Sequence, residues 1–160
     1  AGNETTTGLI TASARIFHEN PDTLVALKQK PELAIAFVEE ALRFYSPFSA
    51  TVRRTTKDVE IAGQQIAAGQ LVVPLIASAN RDEQVFSDPD TFKLDRDSNP
   101  HLAMGYGIHF CLGAHLARLE GKIVVEEMAR RYSRVTLTHP KTATVGDLGG
   151  PKELAVVFAP

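Results

Sequence analysis

Residues 82 to 104, DEQVFSDPDTFKLDRDSNPHLAM, hold no sustained apolar period; two prolines and many acidic or small polar residues interrupt it throughout. A stretch this long without regular structure is uncommon inside a compact domain and is usually functional or disordered. Any fold for this chain must therefore hold a long irregular loop between the elements on either side. No repeat, low-complexity tract or Gly/Ser-rich linker accompanies the loop, so residues 1 to 160 read as one unit.

Upstream of the loop the spacing is helical. Thr5, Leu9, Ala12 and Ile16 step by four, three and four, so the chain opens, without methionine, inside a predicted helix. Pro21 ends that helix and opens the next behind Asn20 as cap, and Pro31 breaks the pattern again. In PELAIAFVEEALRFYSP, Ala34, Val38, Ala41 and Tyr45 form one apolar stripe, while Glu40 and Arg43 fall on the opposite face. From Ala50 to Asp82, short β-branched and apolar runs punctuated by glycines predict hairpins in a small sheet. After Cys111, the spacing of Leu112, Leu116, Leu119 and Ile123 restores a helix to about Tyr132, and SRVTLTHP with ELAVVFAP predicts a closing strand pair.

Lys and Arg total 17 against 19 acidic residues, a net charge of -2 that gives no electrostatic case for nucleic acid or an anionic membrane as partner. One cysteine cannot form an internal disulfide, and no run is apolar enough to span a bilayer or direct secretion. The expected setting is a soluble, reducing one, the cytoplasm.

That cysteine lies in GYGIHFCLGAHLAR, residues 105 to 118. A lone cysteine is most often a small buried hydrophobe. Here glycines precede it, His109 stands two residues before it and a predicted helix follows it, a setting that favours a thiolate, whether nucleophile or metal ligand. Zinc is disfavoured, because His109, Cys111 and His115 are three possible ligands where structural sites want four. A dinucleotide loop fails because Phe110 stands where the third glycine belongs. A cysteine protease would need His139 or another histidine in reach, and nothing in the sequence supports that geometry.

Three separated motifs, in order, resemble the C-terminal part of the cytochrome P-450 family of soluble bacterial type: AGNETT at the start, EALR at Glu40 to Arg43, and the cysteine loop with Gly107, His109, Cys111 and Gly113. ANRD at Ala79 to Asp82 and Arg96 in FKLDR are in place as well. The resemblance runs along the whole chain, with one departure, Met104 where the family usually places an aromatic residue.

The resemblance implies a mainly α (α+β) fold, the C-terminal half of the family's, with long helices and small β-sheets, truncated within the helix above the cofactor. It implies haem b with Cys111 as the thiolate ligand of the iron. His109 and Arg53 would bind the haem propionates, and Gly113 would let the loop approach the porphyrin. Glu40, Arg43 and Arg96 would form a structural ion-pair triad that locks the loop presenting Cys111. Gly2 would permit a distortion at the start of the first helix, with Thr5 hydrogen-bonding oxygen during its activation, Glu4 relaying protons and Asn3 touching substrate. The implied activity is a monooxygenase, inserting one oxygen atom into a small organic substrate with electrons from a ferredoxin or flavoprotein. The donor would dock on the cysteine side, where Arg118, Lys122, Arg130 and Arg131 could offer positive charge. The alternative is an inactive truncated remnant that lacks a substrate pocket; a third arrangement draws the missing half from another chain or a longer protein.

Overall fold

In the computed structural model, which describes residues 2–138 and 154–160, four helices make the core. Helix α1 spans Glu4–Glu19, α2 Pro21–Gln29, α3 Ala34–Phe44 and α5 Ala114–Arg131, with a single turn, α4, at Ile76–Ala79. The stops are those the prolines dictate: Asn20 separates α1 from α2, and Pro31 opens a short 3₁₀ turn, Pro31–Leu33, that leads into α3. The Asn20 side chain does not cap α2 as expected; the Asn20 carbonyl instead accepts the amide and the hydroxyl of Thr23, at 3.0 and 2.6 Å. At the other end of the chain, α1 begins at Glu4, after Gly2 in the left-handed region at φ +81°.

The α1 stripe is core: Leu9, Ala12 and Ile16 are buried, and Phe17 stacks on Phe37 of α3 at 4.8 Å between ring centroids. Ala34, Val38 and Ala41 are buried likewise. Helix α5 passes close to α1 and α3 at Gly121, where a Cβ would lie 2.8 Å from Leu9 Cδ2 and 3.2 Å from Val38 Cγ2. The residues of α5 that reach the core are accordingly small or modest: Ala114, Gly121, Val125, Met128 and Ala129. The periodic stripe Leu116, Leu119 and Ile123 forms a helix as expected but lies on an exposed face, with Leu112 exposed before it.

The β-segment differs from the single small sheet expected. Arg53–Arg54 (β1) pairs antiparallel with Leu71–Val72 (β4), and Val59–Ile61 (β2) pairs with Gln64–Ile66 (β3), giving two separate two-stranded ladders. The apolar run that follows becomes α4 rather than a strand, its turn closed by Ala79 N–H to the Leu75 carbonyl at 2.9 Å. Arg134–Leu137 (β5) and Val156–Ala159 (β6) form the closing antiparallel pair, which packs against α1. Helices dominate and the sheets are small, the architecture expected.

Candidate functional site

The long loop is held by α3. Glu40 and Arg43, which helical spacing alone places on a solvated face, are among the most buried side chains in the protein, because residues 80 to 99 fold over them. Arg43 donates through Nε and Nη2 to the two Glu40 oxygens at 2.8 and 2.7 Å. Arg96 reaches the same carboxylate from the loop, Nε at 3.0 Å and Nη2 at 3.1 Å. Lys93 N–H and Asn99 Nδ2 complete the set at 3.1 and 3.0 Å. Burial alone would raise the Glu40 carboxyl; the hydrogen bonds from Arg43, Arg96 and the Lys93 amide outweigh it and hold it below the usual carboxylate range.

Arg43 also satisfies loop backbone, donating to the carbonyls of Asn80 at 2.9 Å, Pro89 at 2.8 Å and Thr91 at 3.2 Å. Asn80, within ANRD and fully buried, joins this region to the cysteine loop. Its Nδ2 donates to Ser46 Oγ at 2.7 Å, and its Oδ1 accepts the Leu102 amide at 2.7 Å.

The cysteine loop follows. Gly105 has φ +76°, and a Cβ there would lie 2.6 Å from the His109 carbonyl oxygen, so no other residue fits without rearrangement. Gly107 is also left-handed, at φ +60°, and Gly107–His109 form a 3₁₀ turn. The Cys111 amide donates to the Met104 carbonyl at 2.7 Å, strapping the loop across its neck. Met104, in the family's aromatic position, is buried and makes this bond through its backbone. Gly113 stands just before α5, and a Cβ at that position would meet nothing within 4 Å. The bland expectation of a buried, apolar cysteine is overturned: Cys111 is exposed.

Cys111 lines a mainly apolar cavity of about 250 Å³. Thr5 and Leu9 of α1, Leu42 of α3, Phe48, Arg53 and His109 are among its walls. Thus Thr5, Arg53, His109 and Cys111 come together at one cavity, although more than one hundred positions separate Thr5 from Cys111 in the chain. Arg53 is exposed and uses one Nη on the adjacent Val52 carbonyl at 2.9 Å, while the exposed His109 ring makes no side-chain hydrogen bond among the described residues. Glu4 is exposed in the first turn of α1 and is not among the cavity's walls. An apolar slot with one soft sulfur donor and two polar nitrogen-bearing side chains suits a flat apolar group that carries a metal and anionic substituents. Among the described residues no group of three His, Cys, Asp or Glu side chains is placed to hold a metal ion; His139 lies outside them.

The expected positive docking face is not free charge. Arg118 pairs with Glu39 at 2.6 Å, Lys122 with Glu126 at 2.8 Å, and Arg130 and Arg131 both with Glu127 at 2.7 Å. Glu39 was not among the sequence candidates. It adjoins Glu40 and accepts His101 Nε2 at 3.2 Å as well as Arg118; the only trace of this in the sequence is the doubled acid in FVEEALR. Among the described residues, no helix is long and apolar enough to cross a membrane.

In sequence and fold the chain is similar to known proteins. A sequence model of the family described as Cytochrome P-450 matches residues 17–149. Cytochrome P-450 109 of Bacillus spizizenii is 48% identical over 80% of this chain and 32% of its own length. Cytochrome P-450 119 of Sulfolobus acidocaldarius is 44% identical over 98% of this chain and 42% of its own. Among solved structures, a Bacillus megaterium member in complex with testosterone superposes with a TM-score of 0.91 at 42% identity, covering 99% of this chain and 45% of that one. The chain therefore spans less than half the length of these relatives. Haem b with a cysteine thiolate on its iron is the family cofactor, and this chain has one cysteine. With most of its length matched by the family's sequence model and its relatives this similar, the chain belongs to the cytochrome P-450 family.

Proposed function

We propose that residues 1–160 form part of a haem-thiolate monooxygenase domain, with Cys111 as the axial ligand, in a cytoplasmic protein acting on a small organic substrate. One observation carries this reading: Cys111, His109, Arg53 and Thr5 line a single mainly apolar cavity. Haem b bound there supplies the redox chemistry that places one atom of dioxygen in a substrate, with electrons from a ferredoxin or flavoprotein.

The chain's own residues have distinct parts. Cys111 offers its sulfur from a loop whose neck is fixed by the amide bond to Met104. Arg53 and His109 bind carboxylate substituents by charge-assisted hydrogen bonds, and their exposure leaves their donors available. Gly113 adds no side chain between loop and ligand. The half-buried Thr5 hydroxyl at the cavity wall offers a proton and a hydrogen bond to a bound group, and Glu4, exposed one residue earlier, passes protons from solvent. Asn3, beside Glu4, is not among the walls of the Cys111 cavity and lines a separate surface groove with Thr7 and Ile10, so it is given no part here. Glu40, Arg43 and Arg96 are structural, since all three are spent on one another and on the loop backbone.

A second reading, an inactive remnant that holds haem poorly, is favoured by the exposed apolar face of Leu112, Leu116, Leu119 and Ile123. Titration of the chain with haemin, followed by the ferrous carbon monoxide spectrum, separates the two. A thiolate-type Soret band, lost in Cys111→Ser and kept in Thr5→Ala, supports the first reading. An unchanged band in Cys111→Ser overturns Cys111 as the ligand, and no such band in the unaltered chain overturns haem binding by residues 1–160 on their own.

A further inference from the structure

Glu39 and Glu40 are neighbours on α3 yet hold different stretches of chain. Every partner of Glu40 lies between Arg43 and Asn99. The partners of Glu39 lie beyond them, one on each side of the cysteine. His101 Nε2 stands 3.2 Å from Glu39 Oε2, and Arg118 forms a two-point pair, Nε to Oε1 at 2.6 Å and Nη2 to Oε2 at 2.9 Å.

An exposed ion pair contributes little, on the order of 0–1 kcal/mol. This one is different in three respects. The His101 side chain is 2% exposed and Glu39 25%. The His101 ring is oriented from both ends: Nδ1 accepts the Ala103 amide at 3.3 Å, which leaves the proton on Nε2 to donate to Glu39. The guanidinium of Arg118 meets the carboxylate through two parallel bonds, the most direction-specific form of this contact. The residues beside the anchors, Leu102 and Ala103 on one side and Ala117 on the other, are themselves walls of the Cys111 cavity.

We propose that Glu39 is a positioning residue for Cys111: by tying His101 upstream and Arg118 downstream to one point on α3, it fixes how the cysteine loop presents sulfur to the cavity. The spectroscopic half of the test rests on the reading of Cys111 as haem ligand; the loop half does not.

The experiment compares the unaltered chain with Glu39→Gln, Glu39→Asp, Arg118→Lys and, as a control at a remote exposed pair, Arg15→Gln. Without haem, the exchange rate of the Cys111 amide is read against that of Val125 inside α5. Loss of the anchor raises the ratio about tenfold in Glu39→Gln, less in Glu39→Asp, and not in Arg15→Gln. With haem, the thiolate-type fraction of the ferrous carbon monoxide band falls in Glu39→Gln and Arg118→Lys and is partly restored in Glu39→Asp. If the unaltered chain gives the band and neither readout moves in Glu39→Gln or Arg118→Lys, the positioning role is overturned. If it gives no band but the exchange ratio rises as stated, the anchor stands and the ligand reading falls; an unchanged ratio in that case overturns the anchor as well. Should Glu39→Gln fail to fold, Arg118→Lys, which keeps the charge and loses the two-point geometry, decides the same question.

Discussion

Replacing Glu40 by glutamine conserves its shape and removes one charge, and the structure makes that a severe change. The carboxylate receives six hydrogen bonds, two from Arg43, two from Arg96, one from the Lys93 amide and one from Asn99. The Glu40 side chain is 1% exposed, that of Arg43 0% and that of Arg96 6%, so neither guanidinium can turn to water when its counter-charge is gone. A glutamine Nε2 would also present hydrogens to donors that already point at it. Removing one partner of a buried pair costs about 3–5 kcal/mol, against a whole-domain stability of about 5–15 kcal/mol. Glu40→Gln should therefore lose about 3–5 kcal/mol, a large share of the folding free energy, and Arg43→Lys should lose more than Arg96→Lys, because Arg43 is the deeper of the two and serves three backbone carbonyls. Urea unfolding followed by far-ultraviolet circular dichroism gives the midpoint and slope for each variant. A loss below about 1 kcal/mol for Glu40→Gln, the figure for a solvated ion pair, would refute the argument. An apolar pair at both positions would not be neutral either: Arg96 would lose its counter-charge and the carbonyls of Asn80 and Pro89 their Arg43 donor.

Two further outcomes follow from the loop. Gly105→Ala, at φ +76° with its Cβ 2.6 Å from the His109 carbonyl oxygen, should cost about 2 kcal/mol or more in urea unfolding. Gly113→Ala, whose Cβ meets nothing, should cost under about 0.5 kcal/mol without haem and yet weaken haem binding in a haemin titration. For Glu39, burial alone would raise the carboxyl, but the His101 and Arg118 hydrogen bonds prevail and hold it down to about 2 from the ordinary 4.5. A lowered folded-state value contributes stability that is full above pH 4.5 and is lost as pH falls toward 2. The stability difference between the unaltered chain and Glu39→Gln should shrink across that window in acid unfolding; a difference independent of pH would contradict it.

The helical frame was legible because its signals are local. Pro21 and Pro31 cannot continue a helix in the standard way, and the α1 stripe of Leu9, Ala12 and Ile16 is the stripe that packs. Two faces misled, for opposite reasons. Glu40 and Arg43 lie opposite the apolar stripe of α3, and on helical spacing alone they belong in water; they are buried because an aperiodic loop distant in sequence covers them. Leu116, Leu119 and Ile123 have the spacing of a core face, yet α5 packs through Ala114, Gly121, Val125 and Ala129. Small residues carry little weight in a hydropathy pattern, but they are what permits the close approach at Gly121. Glu39 was invisible for a further reason: an acid at a helix surface looks the same whether its partners are solvent or, as here, His101 of the loop and Arg118 of α5, both far along the chain.

These misreadings share a physical origin that bears on the site. Residues 82–104 form no helix or strand, so their backbone groups cannot be satisfied by a regular ladder. Local turns satisfy some of them, as at Phe86 and Thr91, and side chains satisfy others: Arg43 on the Pro89 and Thr91 carbonyls, Arg96 on the Ser87 and Thr91 carbonyls, Glu40 on the Lys93 amide and Asn80 on the Leu102 amide. A helix distributes its hydrogen bonds over many equivalent residues and tolerates the loss of a side chain. Those of this loop's bonds that tie it to the rest of the protein fall largely on four side chains, Arg43, Arg96, Glu40 and Asn80, of which Glu40 and Arg43 come from a single turn of α3. The geometry at Cys111 therefore depends on α3, which contributes only Leu42 to the cavity wall, as much as on the loop that carries the cysteine. A substitution on the far side of α3 from the apolar stripe acts on the sulfur through this scaffold of side-chain bonds, without contacting it.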